Sequence, residues 1–262
     1  MIRYSKNRKL LKDKFKRREK IFGGWISFDN PSIAEIFSSI DIDFLAIDME
    51  HSTISLEQCQ RIIAASQSYK VPCLPRPVSH SNDWFKPILD SGADGLFVST
   101  VNNSDETKNI INCIKYPPLG KRSYGINRGQ SYGFESLEYF ESWNNESIIV
   151  LQIENIIGVK NIESILDLGN IDAIMIGPYD LSGSLGVPGR IDHEDVKLAS
   201  KKVIEICNKY QVSCGTQIAE VTQESLNHLF DQGYTYAILG SDLFLLSTAA
   251  QNLDKLIKEN RK

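Results

Sequence analysis

Short apolar runs recur along the chain. Between most of them lies a stretch whose apolar residues return every three or four positions. The runs are rich in Ile, Val, Leu and Phe and are bounded by Gly, Pro, Asp or Asn. That is the pattern of strands buried on both faces. It predicts strands at 21–28, 44–47, 71–74, 95–99, 148–154, 171–176, 212–218 and 236–239. The helical spacing predicts helices at 32–40, 56–69, 84–91, 104–115, 194–210 and 223–232, and a last one from about residue 243. Asn30 and Pro31 supply an N-cap and a first-turn proline for the first of these, and Ser104 is read as a cap for the fourth. Residues 116–133 read as a long loop rich in Gly, Pro, Arg and Tyr. Eight strands alternating with helices argue for an α/β fold, a single (β/α)8 TIM barrel. A doubly wound open sheet fits less well, because polar candidates follow many strands rather than one switch point.

At 262 residues the chain is long enough for one such barrel as a single domain. Charged residues at 24% and hydrophobic residues at 42% place it among ordinary globular proteins. A net charge of −4 argues against a general nucleic-acid binder. No apolar run reaches the length of a membrane span, and no apolar segment follows the basic N-terminus as in a signal peptide. A cytoplasmic location is therefore expected. Five cysteines, at 59, 73, 113, 207 and 214, form no CxxC pair, so buried free thiols are expected. Residues 1–20 hold ten Lys or Arg against two acids, a segment of +8 beside a remainder of −12. With Leu10, Leu11 and Phe15 at helical spacing, this is read as a basic helical arm on the closed end of a barrel formed by 21–262.

Chemistry is concentrated where strands end. Glu154 closes one apolar run, and Asp180 follows another just after Gly177-Pro178, a pair expected neither to continue a strand nor to open a helix. Two buried strands thus deliver two carboxylates, 26 residues apart, to one rim. Oxygen ligands of this kind suit hard cations such as Mg²⁺ or Mn²⁺, with Co²⁺ a further option. The second strand ends in Asp48, Met49, Glu50 and His51. A His beside a carboxylate suits acid–base work, against the plainer reading of a histidine satisfied by a backbone carbonyl. Arg76 stands between two prolines, and its planar fork suits an enolate or carboxylate oxygen. The glycine-rich run 182–189 lacks the GK[ST] of a P-loop, so amides near Gly177 and Tyr179 are read as donors to a substrate carboxylate. Arg122, Tyr124 and Arg128 make the long loop a candidate substrate-facing lid, and Asp90 is either a partner at the rim or a helix-end acid. His80, His193 and His228 are read as solvated. No predicted strand carries a lysine, which disfavours Schiff-base chemistry.

The sequence QIE at 152–154, together with IGPYDLSGSLGVPG at 176–189, resembles the HpcH/HpaI aldolase family, and the likeness extends over roughly residues 20–250. The resemblance implies a metal-dependent lyase that makes or breaks a carbon–carbon bond next to pyruvate, acting on 4-hydroxy-2-oxo acids with an aldehyde as the second partner. It implies Glu154 and Asp180 as metal ligands. His51 would be the acid–base with Asp48 as its partner, and Arg76 the stabiliser of the pyruvate enolate. Gln152, Gly177 and Tyr179 would bind substrate, and the long loop would tune the acceptor. It also implies a homo-oligomer, dimer to hexamer, in which the last helix is exchanged between subunits. Citrate synthase-like enzymes and acyl-CoA lyases on the same scaffold are the alternative reading.

Overall fold

A computed structural model of the protein describes residues 5–261. Residues 1–4 of the predicted arm lie outside the described residues. Eight strands form one parallel sheet: β1 (Ile21–Ile26), β2 (Phe44–Asp48), β3 (Cys73–Arg76), β4 (Gly95–Val98), β5 (Ile148–Ile153), β6 (Ala173–Ile176), β7 (Ser213–Ile218) and β8 (Tyr236–Leu239). Their hydrogen-bonded order runs β3-β2-β1-β8-β7-β6-β5-β4. The remaining seam, between β3 and β4, is bridged at its lower end, where Asp94 N–H donates to Cys73 O at 2.9 Å and Cys73 N–H to the Asp94 carboxylate at 2.9 Å. The sheet is therefore a nearly closed (β/α)8 barrel.

Strand alternation divides the core in two. Phe44, Ala46, Leu74, Phe97, Val150, Met175 and Tyr236 fill the barrel, while Leu45, Ile47, Leu96, Leu151 and Ile174 pack outward under the helices. The rings set their own space requirement: a Cβ on Gly23 would stand 2.2 Å from the Phe44 ring. The barrel floor is closed by α1 (Ser5–Arg17). Its Leu11 and Phe15 join the inner cluster, and Phe15 meets Tyr236 edge-on at 5.5 Å. The inward cations of α1 are paired with the barrel: Arg8 with Glu146 at 2.7 Å, Lys12 with Asp172 at 2.6 Å, and Lys14 with Asp43. Lys6, Lys9, Lys16 and Arg17 face solvent.

The helices are α2 (Pro31–Ser38), α3 (Leu56–Ser68), α4 (Asn82–Asp90), α5 (Ser104–Ile114), α6 (Ser136–Glu146), α7 (Ile156–Leu166), α8 (Pro178–Ser184), α9 (Glu194–Tyr210), α10 (Gln223–Asp231) and α11 (Asp242–Asn260). Asn103, not Ser104, caps α5. The pattern did not predict α6, α7 or α8. The short α8 corrects the expectation that Gly177-Pro178 opens no helix, because Pro178 occupies the first helical position, where a missing N–H costs nothing. β3 lies two residues later than 71–74, since register with β2 pairs Leu45 with Cys73 and Asp48 with Arg76. All five cysteines are free. Among the described residues no helix is long and apolar enough to cross a membrane. The last helix departs most from barrel habit. Asp242 anchors it by accepting the N–H groups of Ser27 and Phe28, but from Leu245 onward every residue is exposed.

Candidate active site

The strands bring Asp48, Glu50, His51, Arg76, Gln152 and Glu154 to one rim, where α8 adds Asp180. Asp48, the last residue of β2, is buried among apolar neighbours and is held by charge. Arg76, the last residue of β3, grips it with a planar fork, Nε to Oδ1 at 3.1 Å and Nη2 to Oδ2 at 2.8 Å. Glu50 adds a second carboxylate, 3.2 Å from Arg76 Nε. Trp25 lies beneath the guanidinium, 4.8 Å from its centre, so the cation rests on an aromatic face. The third contact runs across the barrel, from Arg76 Nη1 to Gln152 Oε1 at 3.3 Å. Guanidinium has five N–H donors, so one on each terminal nitrogen remains.

Gln152 links the cation to the carboxylate beyond it, because its amide Nε2 donates to Glu154 Oε2. Thr100 Oγ1 donates to the other oxygen, Oε1, at 2.5 Å. Burial pushes the Glu154 carboxyl above its ordinary range. The Thr100 hydrogen bond lowers it, the neighbouring charges of Asp180 and Glu50 raise it further, and Arg76 opposes them. Asp180, in the first turn of α8, is exposed. His51, Arg76, Gln152, Gly177, Tyr179 and Asp180 line a cavity of about 220 Å³, together with Gln217 and Phe244. Glu154 and Asp180 form an oxygen-only donor pair, and among the described residues no third His, Cys, Asp or Glu completes an all-protein metal cage. Such a pair fits a hard divalent cation that completes its shell with water and substrate oxygens.

Several sequence expectations change in detail. Asp48 reaches only the backbone of His51, accepting the N–H groups of Glu50 and His51 at 3.1 Å each. The carboxylate nearest the imidazole is Glu50, at 3.8 Å from Nε2. The Gly177 amide does not face a substrate, because it donates to Ile153 O at 3.1 Å. What Gly177 supplies is room: a Cβ there would stand 2.6 Å from Glu154 Oε2 and 2.8 Å from Gln152 Nε2. Tyr179 N–H lies in the first turn of α8, where helix geometry leaves amides without an internal partner.

The long loop does not cover its own cavity. Arg122 is buried at the amino ends of the strands, paired with Asp90 at 2.6 Å and stacked near Tyr116 and Trp143. Arg128 donates to Gln67 Oε1 and Ser91 O, at the ends of α3 and α4. Tyr124 stacks on Tyr116 at 4.7 Å. Asp90 is thus a helix-end acid on the face opposite the rim. His80 is not simply solvated, since its Nε2 sits 2.6 Å from Ser99 O beside the site. His193 caps α9, and His228 contacts Gln232.

Comparison with known proteins agrees with this architecture. The model of the HpcH/HpaI aldolase/citrate lyase family matches residues 22–249. The chain belongs to that family. A 2-keto-3-deoxy-L-rhamnonate aldolase of Salmonella typhi is 30% identical over 197 residues, covering 75% of this chain and 72% of the relative. An HpcH/HpaI aldolase from Desulfitobacterium hafniense DCB-2 superposes with a TM-score of 0.86 at 26% identity, covering 95% of this chain and 96% of that one. The citrate synthase SbnG shares the fold, with a TM-score of 0.84 at 24% identity over 96% of this chain and 99% of that one. As an HpcH/HpaI chain with aldolase relatives, the protein is a carbon–carbon lyase. None of its eight strands carries a lysine.

The sequence pattern missed several residues that line or brace this rim: Trp25, Ser99, Thr100, Gln217 and Phe244. Ser99 and Thr100 could have been found, because they directly follow a strand and in a barrel that position faces the active rim. Trp25 and Phe244 carried no such signal, as either could equally have been core.

Proposed function

We propose that this lyase reversibly cleaves 4-hydroxy-2-oxo acids into pyruvate and an aldehyde. The observation that carries the reading is the unbroken chain Asp48–Arg76–Gln152–Glu154, which sets a clamped cation beside an oxygen-only carboxylate pair. Glu154 and Asp180 would hold a divalent cation, Mg²⁺, Mn²⁺ or Co²⁺, which would supply Lewis acidity to the 2-oxo acid. Arg76 lines the cavity with two N–H donors to spare, and it would stabilise the negative charge that develops on the keto oxygen as the bond breaks. Asp48, Glu50 and Trp25 fix that guanidinium in position, so it need not reorganise during the reaction. Tyr179 N–H is a donor for the substrate carboxylate. His51, exposed at the cavity mouth with Glu50 3.8 Å from its Nε2, moves the proton of the 4-hydroxyl group.

The rim stands open in a single chain, and α11 leaves its apolar stripe in solvent, with Leu246 and Leu253 each 61% exposed. A homo-oligomer built on exchange of α11 accounts for both.

The test does not need the aldehyde. Pyruvate incubated with the protein and Mn²⁺ in D₂O should lose its methyl proton signal, and EDTA should stop the loss. Glu154→Gln and Asp180→Asn should fold but lose the exchange. Arg76→Lys keeps the charge without the fork, and should slow exchange by about 100- to 1000-fold. Absence of exchange with metal present would overturn the pyruvate reading. Exchange into acetyl-CoA instead would move it to the citrate synthase class.

A further inference from the structure

One backbone feature at the rim has no counterpart elsewhere in the described sheet. Thr100, two residues past the end of β4, has φ of +51°. L side chains avoid that left-handed region, and β-branched ones avoid it most. The other described non-glycine residues with positive φ lie elsewhere. Arg18, Lys70, Asn170 and Gln211 follow helices, and Ser131 and Tyr132 lie in the long loop. Thr100 is the one that follows a strand, and it does so beside Glu154.

The flanking contacts over-determine this conformation. Ser99 Oγ donates to Glu50 Oε1 at 2.7 Å, and Ser99 O meets His80 Nε2. Val101 N–H then donates to Gln152 O at 3.1 Å, latching the segment to β5. Held between these two anchors, Thr100 directs Oγ1 onto Glu154 Oε1. Glu154 Oε2 takes the Gln152 amide and lies against Gly177, where no side chain intrudes. Each carboxylate oxygen therefore has one neutral donor. Neutral donors orient an anion without cancelling its charge, which leaves that charge for a cation. Strained backbone persists where the surroundings impose it, and such sites cluster at function.

We infer that Thr100 is a positioning residue for the metal-ligating carboxylate: its hydroxyl, held by a left-handed backbone, fixes the orientation of Glu154 toward the cation. The inference rests on Glu154 and Asp180 holding a divalent metal. Outer hydrogen-bond partners of ligands commonly govern affinity by about 10- to 100-fold.

The experiment is titration of the purified full-length protein with Mn²⁺, without substrate, by calorimetry and by the electron paramagnetic resonance signal of bound Mn²⁺. Thr100→Val keeps the shape and removes the hydroxyl. Thr100→Ala removes it without β-branch crowding, so loss of folding in one variant leaves the other. Thr100→Ser retains the hydroxyl. Both Val and Ala variants should bind Mn²⁺ about 10- to 100-fold more weakly, with an altered resonance signal, and Ser should keep wild-type affinity. At saturating Mn²⁺, pyruvate exchange by the Ala variant should recover toward the wild-type rate, since positioning and not proton transfer is lost. Folded Val and Ala variants with wild-type Mn²⁺ affinity would overturn the role of Thr100 while leaving the metal reading intact. Wild-type protein that binds no Mn²⁺, or binds it equally as Glu154→Gln, would overturn the metal reading and this inference with it.

Discussion

At the scale of single residues, the site works by close approach and by borrowed charge. Gly177 is required because Glu154 and Gln152 occupy the volume of a Cβ. Gly177→Ala should fold, because its φ of −100° suits any residue. It should displace the Glu154 carboxylate, and Mn²⁺ affinity should fall about tenfold or more by calorimetry. Arg76 and Asp48 were both legible as residue types from their places after strands. Their pairing was not, because which acid an arginine finds depends on strand register. The alternation of β2 put Asp48 and Glu50 on one face. Only the register of β2 against β3 delivered Asp48 to Arg76, with Glu50 3.2 Å from the same guanidinium and 3.8 Å from His51.

At the scale of elements, α1 repays its charge by plugging the barrel. Its apolar stripe was visible at helical spacing, but its partners were not, since Asp43, Glu146 and Asp172 lie far along the chain. Phe15 is fully buried against Phe44 and Tyr236. Phe15→Ala should cost about 3–5 kcal/mol in urea denaturation. Pyruvate exchange per folded molecule should be unchanged, because the floor and the rim are opposite ends of the barrel. The long loop shows how composition can mislead. Arginine and glycine in a long loop suggest a substrate-facing role for Arg122, Tyr124 and Arg128. Aromatic stacking and the Asp90 pair instead hold the loop at the floor of its own barrel.

At the scale of the whole molecule, the buried amine of Lys115 links stability to pH. It donates to Asn144 O, Ser147 O and Ser147 Oγ beneath α1. Burial, with the nearby charge of Lys12, pushes it down from its ordinary 10.5 to about 7. Between those values the unfolded chain keeps a proton that the folded chain releases, so stability rises with pH across this window. Thermal melts at pH 7 and pH 10 should show a gain for wild type relative to Lys115→Met, which lacks that titration. An equal pH dependence in the two proteins would remove Lys115 as the cause. The exposed stripe on α11 bears on assembly. Light scattering should give a mass that is a multiple of 29.5 kDa. Leu246→Glu with Leu253→Glu should reduce it toward one chain, because each buries a charge in any interface formed there.

The order of apolar runs by itself determined the barrel, since eight buried strands joined by amphipathic helices have few other ways to cover both sheet faces. It also placed Asp48, Glu154, Arg76 and His51 near strand carboxyl ends, as candidates that the family resemblance singled out, while Asp90, Arg122 and Arg128, equally plausible as residue types, lie at the floor. Tertiary structure decided everything that depends on distance across the barrel. Gln152 joins Arg76 to Glu154, Thr100 reaches a carboxylate 54 residues away, and Gly177, before α8, leaves room for Glu154. Those outcomes follow from strand register and from the space a glycine leaves, which periodicity along one chain does not encode.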